Sequence, residues 1–270
     1  MVSPIRHPAV AGRFYPRDPD DLRAEVESYL SPPEKTVPAL GCVVPHAGYV
    51  YSGHVAGAVY ARLDLPPRCI LMCPNHTGMG HPLSIMSAGA WQTPLGMVSI
   101  DARLAADLKQ RFPLLGEDTE AHRAEHSAEV QLPFLQVKNP EGRFVPIVLG
   151  TSQYEMLSGL GEAIADVVRA LGERVLLIAS SDMNHYENDT ITRVKDQKAI
   201  ERMLVMDARG LFDVVMDEDI SMCGFGPTVA MLTAARRLGA VGADLVRYAT
   251  SGDVSGDRDR VVGYAGILVQ

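Results

Sequence analysis

Three histidines occupy matching places in this sequence, each just after an apolar segment that predicts a buried strand. The segments and their histidines are residues 40–44 with His46, residues 68–73 with His76, and residues 175–180 with His185. If the strands are parallel neighbours, their carboxyl ends share the sheet edge where open α/β proteins bind ligands. Converging imidazoles indicate a metal site, because neutral histidine is the commonest metal ligand. Any one of them alone could be an ordinary core or surface histidine.

Cys223 is the best candidate for a further metal ligand. It lies in a glycine-rich loop before a predicted helix that begins at Pro227. A helix N-terminus lowers the pKa of a thiol and favours the thiolate, which is the form that binds metal. The alternative is a buried, inert cysteine. That is the interpretation of Cys42, Cys69 and Cys73, which lie in or beside apolar runs.

Asp182 and His185 form an Asp-x-x-His turn just past the strand of residues 175–180. A carboxylate beside an imidazole fixes its tautomer and raises its basicity, so His185 is a candidate general base with Asp182 behind it. Asp182 could equally cap the turn or the next helix. His126 and its neighbour Glu125 are expected to line the crevice, beside the metal or the substrate.

The remaining histidines of interest have simpler interpretations. His122 is four residues before His126, which is a metal-ligand spacing on a helix, but the H-E-x-x-H pattern is absent. We therefore interpret His122 as a solvated residue at the start of a helix predicted over residues 124–136, which Pro133 should bend or shorten. His54 and His81 are interpreted as surface or structural groups.

Predicted strands and helices alternate along the chain, which is typical of a layered α/β fold. The fold expected is a single domain over residues 1–270, with a central mixed, largely parallel sheet flanked by helices. Antiparallel edge strands near residues 83–100 and at the C-terminus make the sheet mixed. One of the helices is predicted over residues 54–63, with Ser52 as its N-cap.

Composition excludes several classes of function. The formal net charge is −8 at pH 7, which argues against nucleic acid as the main partner because phosphate binding needs clustered positive charge. No apolar run approaches the roughly 20 residues of a membrane span. The N-terminus has no apolar signal region, so we expect a cytoplasmic protein, where disulfides are disfavoured.

Six motifs in order carry a family resemblance. They are Ala9-Val10-Ala11-Gly12-Arg13-Phe14-Tyr15-Pro16, Pro45-His46-Ala47-Gly48-Tyr49, Asn75-His76-Thr77-Gly78, Glu125-His126-Ser127-Ala128-Glu129, Ser180-Ser181-Asp182-Met183-Asn184-His185 and Cys223-Gly224. Across nearly its whole length the chain resembles the Memo family, whose prokaryotic members are called AmmeMemoRadiSam system protein B. That family looks structurally like the class III extradiol dioxygenases, which implies a mixed α/β fold.

The resemblance also implies roles for particular residues. The dioxygenases hold non-haem iron with two histidines and a glutamate, and another histidine acts as acid and base. The resemblance places the metal histidines at His46 and His76 and the acid/base at His185, with Cys223 in place of the carboxylate. A thiolate is a softer ligand that suits copper(I), zinc or iron, and dioxygen oxidises it easily.

Three functions are consistent with these residues. The first is a metal-dependent redox enzyme acting on an unknown small substrate, with iron or copper (zinc is a further option) on His46, His76 and Cys223. In it, His185 and Asp182 move protons and His126 contacts substrate. The second is a non-catalytic adaptor that recognises a peptide or a partner protein through the same cleft; the resemblance implies AMMECR-type and radical SAM partners. The third is a hydrolase with Cys223 as nucleophile, His185 as base and Asp182 as orienter.

Overall fold

The computed structural model describes residues 4–31 and 35–270, and a mixed β-sheet lies at its centre. The strands are β1 (Ile5–Arg6), β2 (Gly41–Val44), β3 (Arg68–Pro74), β4 (Leu83–Ile85), β5 (Ala90–Thr93), β6 (Gly96–Ser99), β7 (Gly116–Glu117), β8 (Arg143–Leu149), β9 (Leu176–Ser180), β10 (His185–Glu187), β11 (Ala243–Thr250) and β12 (Val261–Val269). The helices are α1 (Pro19–Tyr29), α2 (Tyr49–Arg62), α3 (Ala102–Arg111), α4 (Glu120–Arg123), α5 (Leu132–Lys138), α6 (Tyr154–Leu171), α7 (Asp189–Leu204), α8 (Ala208–Asp217), α9 (Phe225–Leu238) and α10 (Ser251–Ser255), with a short 3-10 helix at Glu129–Gln131.

The large sheet has the strand order β10-β12-β2-β9-β3-β8-β4-β7, and β11 pairs with β12. Its centre, β2-β9-β3-β8, is parallel, whereas β12 runs antiparallel to β2 and β4 runs antiparallel to β8. A smaller sheet holds β1, β5 and β6. The predicted α/β fold, a single domain with a mixed, largely parallel sheet, is therefore confirmed.

The central strands are buried on both faces, which explains why they are continuous apolar runs. Side chains alternate across the sheet, so Leu177 and Ala179 pack against α6 and α9 while Leu176 and Ile178 pack towards α1, α2 and α5. Val44 is level with Ser180 across the β2–β9 pair. The chain therefore leaves β2 and β9 at the same edge, with the end of β3 close by.

Two predicted helices differ from the structure. The helix predicted over residues 54–63 begins earlier, at Tyr49, and Ser52 lies inside it with its hydroxyl donating to the carbonyl of Ala47. The helix predicted over residues 124–136 forms only in its second part: a 3-10 helix covers Glu129–Gln131, and α5 begins at Leu132, with Pro133 in its first turn. Residues 124–128 are irregular because the Glu125 carboxylate accepts hydrogen bonds from local groups, an alternative to the helical ladder.

Within the described ranges, no helix combines the length and the apolar character needed to cross a membrane. Location in the cytoplasm stays a prediction.

Candidate metal centre

The structure brings together the three residues predicted to bind metal. His46 follows β2, His76 follows β3, and Cys223 lies in the loop between α8 and α9. Their candidate ligand atoms all lie within 4.8 Å of one another, and the distance from Cys223 Sγ to His46 Nε2 is 3.2 Å. Ligand atoms about 2.0–2.3 Å from one ion are separated by roughly 3–4 Å, so this spacing fits a shared metal.

The hydrogen bonds around His46 leave its Nε2 free of a proton. The hydroxyl of Ser180 donates to the carbonyl of Ser127 at 2.7 Å and accepts from Nε2 of Gln131 at 2.9 Å. Its only hydrogen is thus used, so His46 Nδ1, 3.0 Å from the same oxygen, must be the donor there. Burial, and then the neighbouring histidines, lower the pKa of His46 well below its ordinary value, so the ring is neutral. A neutral ring with a bare Nε2 is the form that binds metal.

His76 is held in the same way by a carboxylate. Its Nδ1 donates to Oε1 of the buried Glu125 at 2.9 Å, and its backbone N–H donates to Oε2 at 2.7 Å. Burial alone raises the pKa of Glu125, but hydrogen bonds from His76 and Ser127 outweigh it and bring the pKa to about 2. The ionised carboxylate keeps the hydrogen of neutral His76 on Nδ1, which leaves Nε2 for a metal.

Close packing of backbone brings Cys223 to this point. A Cβ at the next residue, Gly224, would overlap the side chain of Ser181 and the carbonyl of Ser180. Only glycine lets the loop come this near to the end of β9. The predicted lowering of the thiol pKa is wrong: burial, and then the charge of Asp182, raise the pKa of Cys223 well above its ordinary value. A metal ion would therefore replace a proton on this sulfur.

Asp182 and His185 do not form the expected hydrogen bond. The carboxylate of Asp182 accepts the backbone N–H of His46 at 2.7 Å, so it fixes the turn that follows β2. Nδ1 of His185 lies 2.8 Å from the carbonyl oxygen of Ser221, which can only accept. His185 therefore carries its neutral hydrogen on Nδ1, and the backbone, rather than the predicted carboxylate, orients the ring.

These groups form the floor of an open pocket of about 640 Å³. His126 lies between Phe14 and His76, with ring centroids 4.7 Å away in each case. Burial lowers the pKa of His126 to about 4, so it is neutral at pH 7. Phe14 and Tyr186 supply aromatic surface to the pocket, which also contains Asp182 and His185. All six predicted site residues line this one cavity.

Sequence reasoning missed the residues that hold these rings. Ser180, Gln131 and Ser221 carry no catalytic signature, and only their spatial position reveals their role. His122 was also misinterpreted, because it is fully buried beside Trp91, with ring centroids 5.8 Å apart. Neither ring nitrogen of His122 has a hydrogen-bond partner among the described residues.

Comparisons with known proteins agree with the motifs. The profile of a family described as "Memo-like protein" matches residues 6–268. A MEMO1 family protein of Methanothermobacter thermautotrophicus is 44% identical, covering 97% of this chain and 99% of the relative. One from Methanosarcina barkeri is 45% identical, covering 98% and 100%. The crystal structure of an uncharacterized protein from Escherichia coli K12 matches with a TM-score of 0.58 at 12% identity, over 84% of this chain and 98% of that one, which shows likeness of fold alone.

Proposed function

Because the chain belongs to the Memo family, we propose that it is a metal-dependent redox enzyme that binds iron or copper between His46, His76 and Cys223. Zinc also suits this set of two imidazoles and a thiolate, so the metal has to be identified by experiment. The observation that carries the proposal is the convergence of the three ligand atoms within 4.8 Å, with both imidazoles prepared by their hydrogen bonds.

The donor set fits a metal ion for a reason beyond distance. Nε2 of His46 and Nε2 of His76 are lone-pair sites in the neutral rings, since Ser180 and Glu125 take the Nδ1 hydrogens. These two nitrogens and Sγ of Cys223 are therefore three electron-pair donors close together, and the only hydrogen among them is the thiol proton. A metal ion that replaces this proton would satisfy all three. When bound, a redox-active ion would supply electron transfer at the floor of the pocket.

The other pocket residues have roles that follow from their positions. His185 has its Nδ1–H tied to a carbonyl, so its Nε2 can accept a proton from a substrate group such as a phenolic hydroxyl. His126 is neutral and packs against Phe14, which suits contact with a small substrate. Asp182 acts by fixing the turn that carries His46. This arrangement supports the dioxygenase-like cleft that the family resemblance implies.

Metal analysis tests the proposal. Protein purified without added metal is analysed for bound metals, then stripped with a chelator and titrated separately with iron(II), copper(I) and zinc(II). We expect one tightly bound equivalent in the wild type and a large loss of affinity in Cys223→Ser. Cys69→Ser is the matched control, because Cys69 is a buried thiol that lies outside the pocket. Equal metal binding by all three proteins would overturn the ligand assignment.

A second candidate function is recognition of a peptide or partner protein through the same pocket. Tyr186 lines the pocket and is 65% exposed, and Val50, two residues beyond the pocket residue Gly48, is 62% exposed. Aromatic side chains are enriched at protein interfaces, so the exposed ring of Tyr186 in the pocket wall favours a peptide or protein partner. AMMECR-type and radical SAM proteins are the partners to test by titration calorimetry. Binding that persists in metal-free Cys223→Ser protein would favour this function over the redox enzyme.

A further inference from the structure

Asn184 is a buried side chain between His185 and the loop that carries Cys223. It is fully buried and follows the Asp182–Met183 segment beyond β9. Its backbone is held as well: the N–H donates to Oδ1 of Asp196 at 2.8 Å, and the carbonyl accepts from the N–H of Gly263 at 3.0 Å. The backbone of Asn184 is therefore tied to both β12 and α7, independently of the contacts of its side chain.

Every polar atom of the Asn184 side chain has a partner. Oδ1 accepts from the backbone N–H of Ser221 at 3.1 Å and from the Ser221 hydroxyl at 3.0 Å. Nδ2 donates to the Glu187 carboxylate at 2.7 Å and makes a longer contact of 3.4 Å with the hydroxyl of Thr192. A backbone N–H on one side and a carboxylate on the other permit only this orientation of the amide.

Ser221 in turn holds His185. Its carbonyl oxygen accepts the Nδ1–H of His185 at 2.8 Å, and its hydroxyl accepts the backbone N–H of His185 at 2.8 Å. Ser221 is also two residues before Cys223. One amide thus holds the peptide segment that both orients the imidazole and leads to the sulfur.

We propose that Asn184 is a positioning residue that sets the tautomer of His185 by holding Ser221 in place. The importance of that tautomer rests on the proposed function, in which His185 uses a bare Nε2 as a base. Without the amide, both the backbone N–H and the hydroxyl of Ser221 lose their acceptor, so the segment is no longer held against His185 and would shift. The carbonyl would then leave Nδ1 of His185, and the ring hydrogen would be free to move to Nε2.

The tautomer can be read directly from the nitrogen chemical shifts of the ring. The full chain is labelled with 15N-histidine, His185 is identified by its missing signals in a His185→Gln variant, and spectra are recorded above the pH at which the ring protonates. In the wild type we expect Nδ1–H to dominate. In Asn184→Leu, which has similar volume but no acceptor, we expect Nε2–H to become the major form.

Two further variants separate positioning from general damage. Glu187→Gln keeps an acceptor for Nδ2 and leaves both bonds of Oδ1 to Ser221, so it should retain the Nδ1–H form. Thr192→Val loses the longer contact to Nδ2 and a contact of 3.4 Å to the carbonyl of Glu187, leaves both bonds to Ser221 in place, and should also retain it. If Asn184→Leu does not fold, Asn184→Ser, which is too short to reach Ser221, is measured in its place.

Two results would overturn the inference: a wild-type His185 with its hydrogen on Nε2, or a folded Asn184→Leu or Asn184→Ser protein with the wild-type tautomer. Both readings are made on metal-free protein. They therefore stand whether or not the chain proves to bind a metal, and a failure of the proposed function appears separately, in the metal analysis.

Discussion

Sγ of Cys223 lies 3.2 Å from Nε2 of His46, although the two residues are 177 positions apart in the chain. No local motif connects them. His46 is fixed by the end of β2 and by its hydrogen bond to Ser180, whereas Cys223 is delivered by the loop that precedes α9. The contact therefore forms only when the sheet and α9 have both assembled, so the separation of these two atoms is a sensitive report on the fold around the pocket.

The Glu125–His76 pair leads to a prediction about affinity. Glu125→Gln replaces an ionised acceptor with a neutral amide, so the Nδ1–H of His76 is held less firmly and Nε2 becomes a weaker donor. Loss of such a partner typically weakens metal binding by about 10–100-fold. Competition with a chelator measures the change. Glu120→Gln is the control, since Glu120 pairs with Arg123 on the surface, and equal affinities in the two variants would contradict the role given to Glu125.

The raised pKa of Cys223 predicts a thiol that is alkylated slowly at neutral pH. Iodoacetamide attacks the thiolate, so metal-free protein at pH 7 should react more slowly than free cysteine, with a rate that increases as the pH is raised. Because the metal replaces the thiol proton, affinity for the metal should fall as the pH falls. Mass spectrometry of the labelled protein, with Cys223→Ser as background, follows the reaction. Rapid alkylation of Cys223 at pH 7 would instead support the cysteine-hydrolase alternative.

Asp196 predicts a dependence of stability on pH. Burial raises its pKa to about 7, despite hydrogen bonds from Tyr248 and from the backbone of Asn184. In the unfolded chain the pKa of this carboxyl has its ordinary value near 4. The folded state therefore loses stability relative to the unfolded chain as the pH rises from about 4 to about 7.

Asp196→Asn removes that cost. The variant should gain about 1 to 4 kcal/mol over the wild type at pH 8, and the gain should shrink towards pH 5. Urea denaturation at several pH values measures it, with the exposed Asp217→Asn as control. A gain that is the same at pH 5 and pH 8 would show that Asp196 is not the titrating group.

Glu129 predicts a loss of stability that does not involve the pocket floor. Its buried carboxylate pairs with Arg6 and accepts from the hydroxyl of Tyr15 at 2.6 Å. Glu129→Gln leaves the guanidinium of Arg6 buried without a counter-charge, which should cost about 3–5 kcal/mol of unfolding free energy. Urea denaturation provides the measurement. If the exposed Glu155→Gln variant loses as much, the buried pair is not the source.

The sequence predicts the framework of the site well. Residues 40–44, 68–73 and 175–180 are continuous apolar runs, as strands buried on both faces must be, and these runs differ from β2, β3 and β9 by one residue at most. A histidine placed after each run then marks the edge where ligands bind. For this reason a cluster of imidazoles at this edge can be proposed before any coordinates are known.

The sequence does not predict what depends on distant contacts. Nδ1–H of His185 donates to the backbone carbonyl of Ser221. A backbone acceptor of this kind cannot be predicted from a pattern of residue types. Burial raises the pKa of Cys223, and burial of a loop is a property of the whole fold rather than of its helix. His122 looks solvated beside Glu120 and Arg123, yet it packs under Trp91 because α4 turns that face inward.

The absence of a side chain at Gly224 suggests how the three candidate ligands could be separated by one substitution. The loop comes close to β9 only because that position carries no side chain, so a single added methyl group, as in Gly224→Ala, would push the sulfur away from the two imidazoles while leaving every donor atom in the polypeptide. Such a variant would keep all three candidate ligand residues but not the short distances between their ligand atoms, so it tests the geometry of the site separately from its composition.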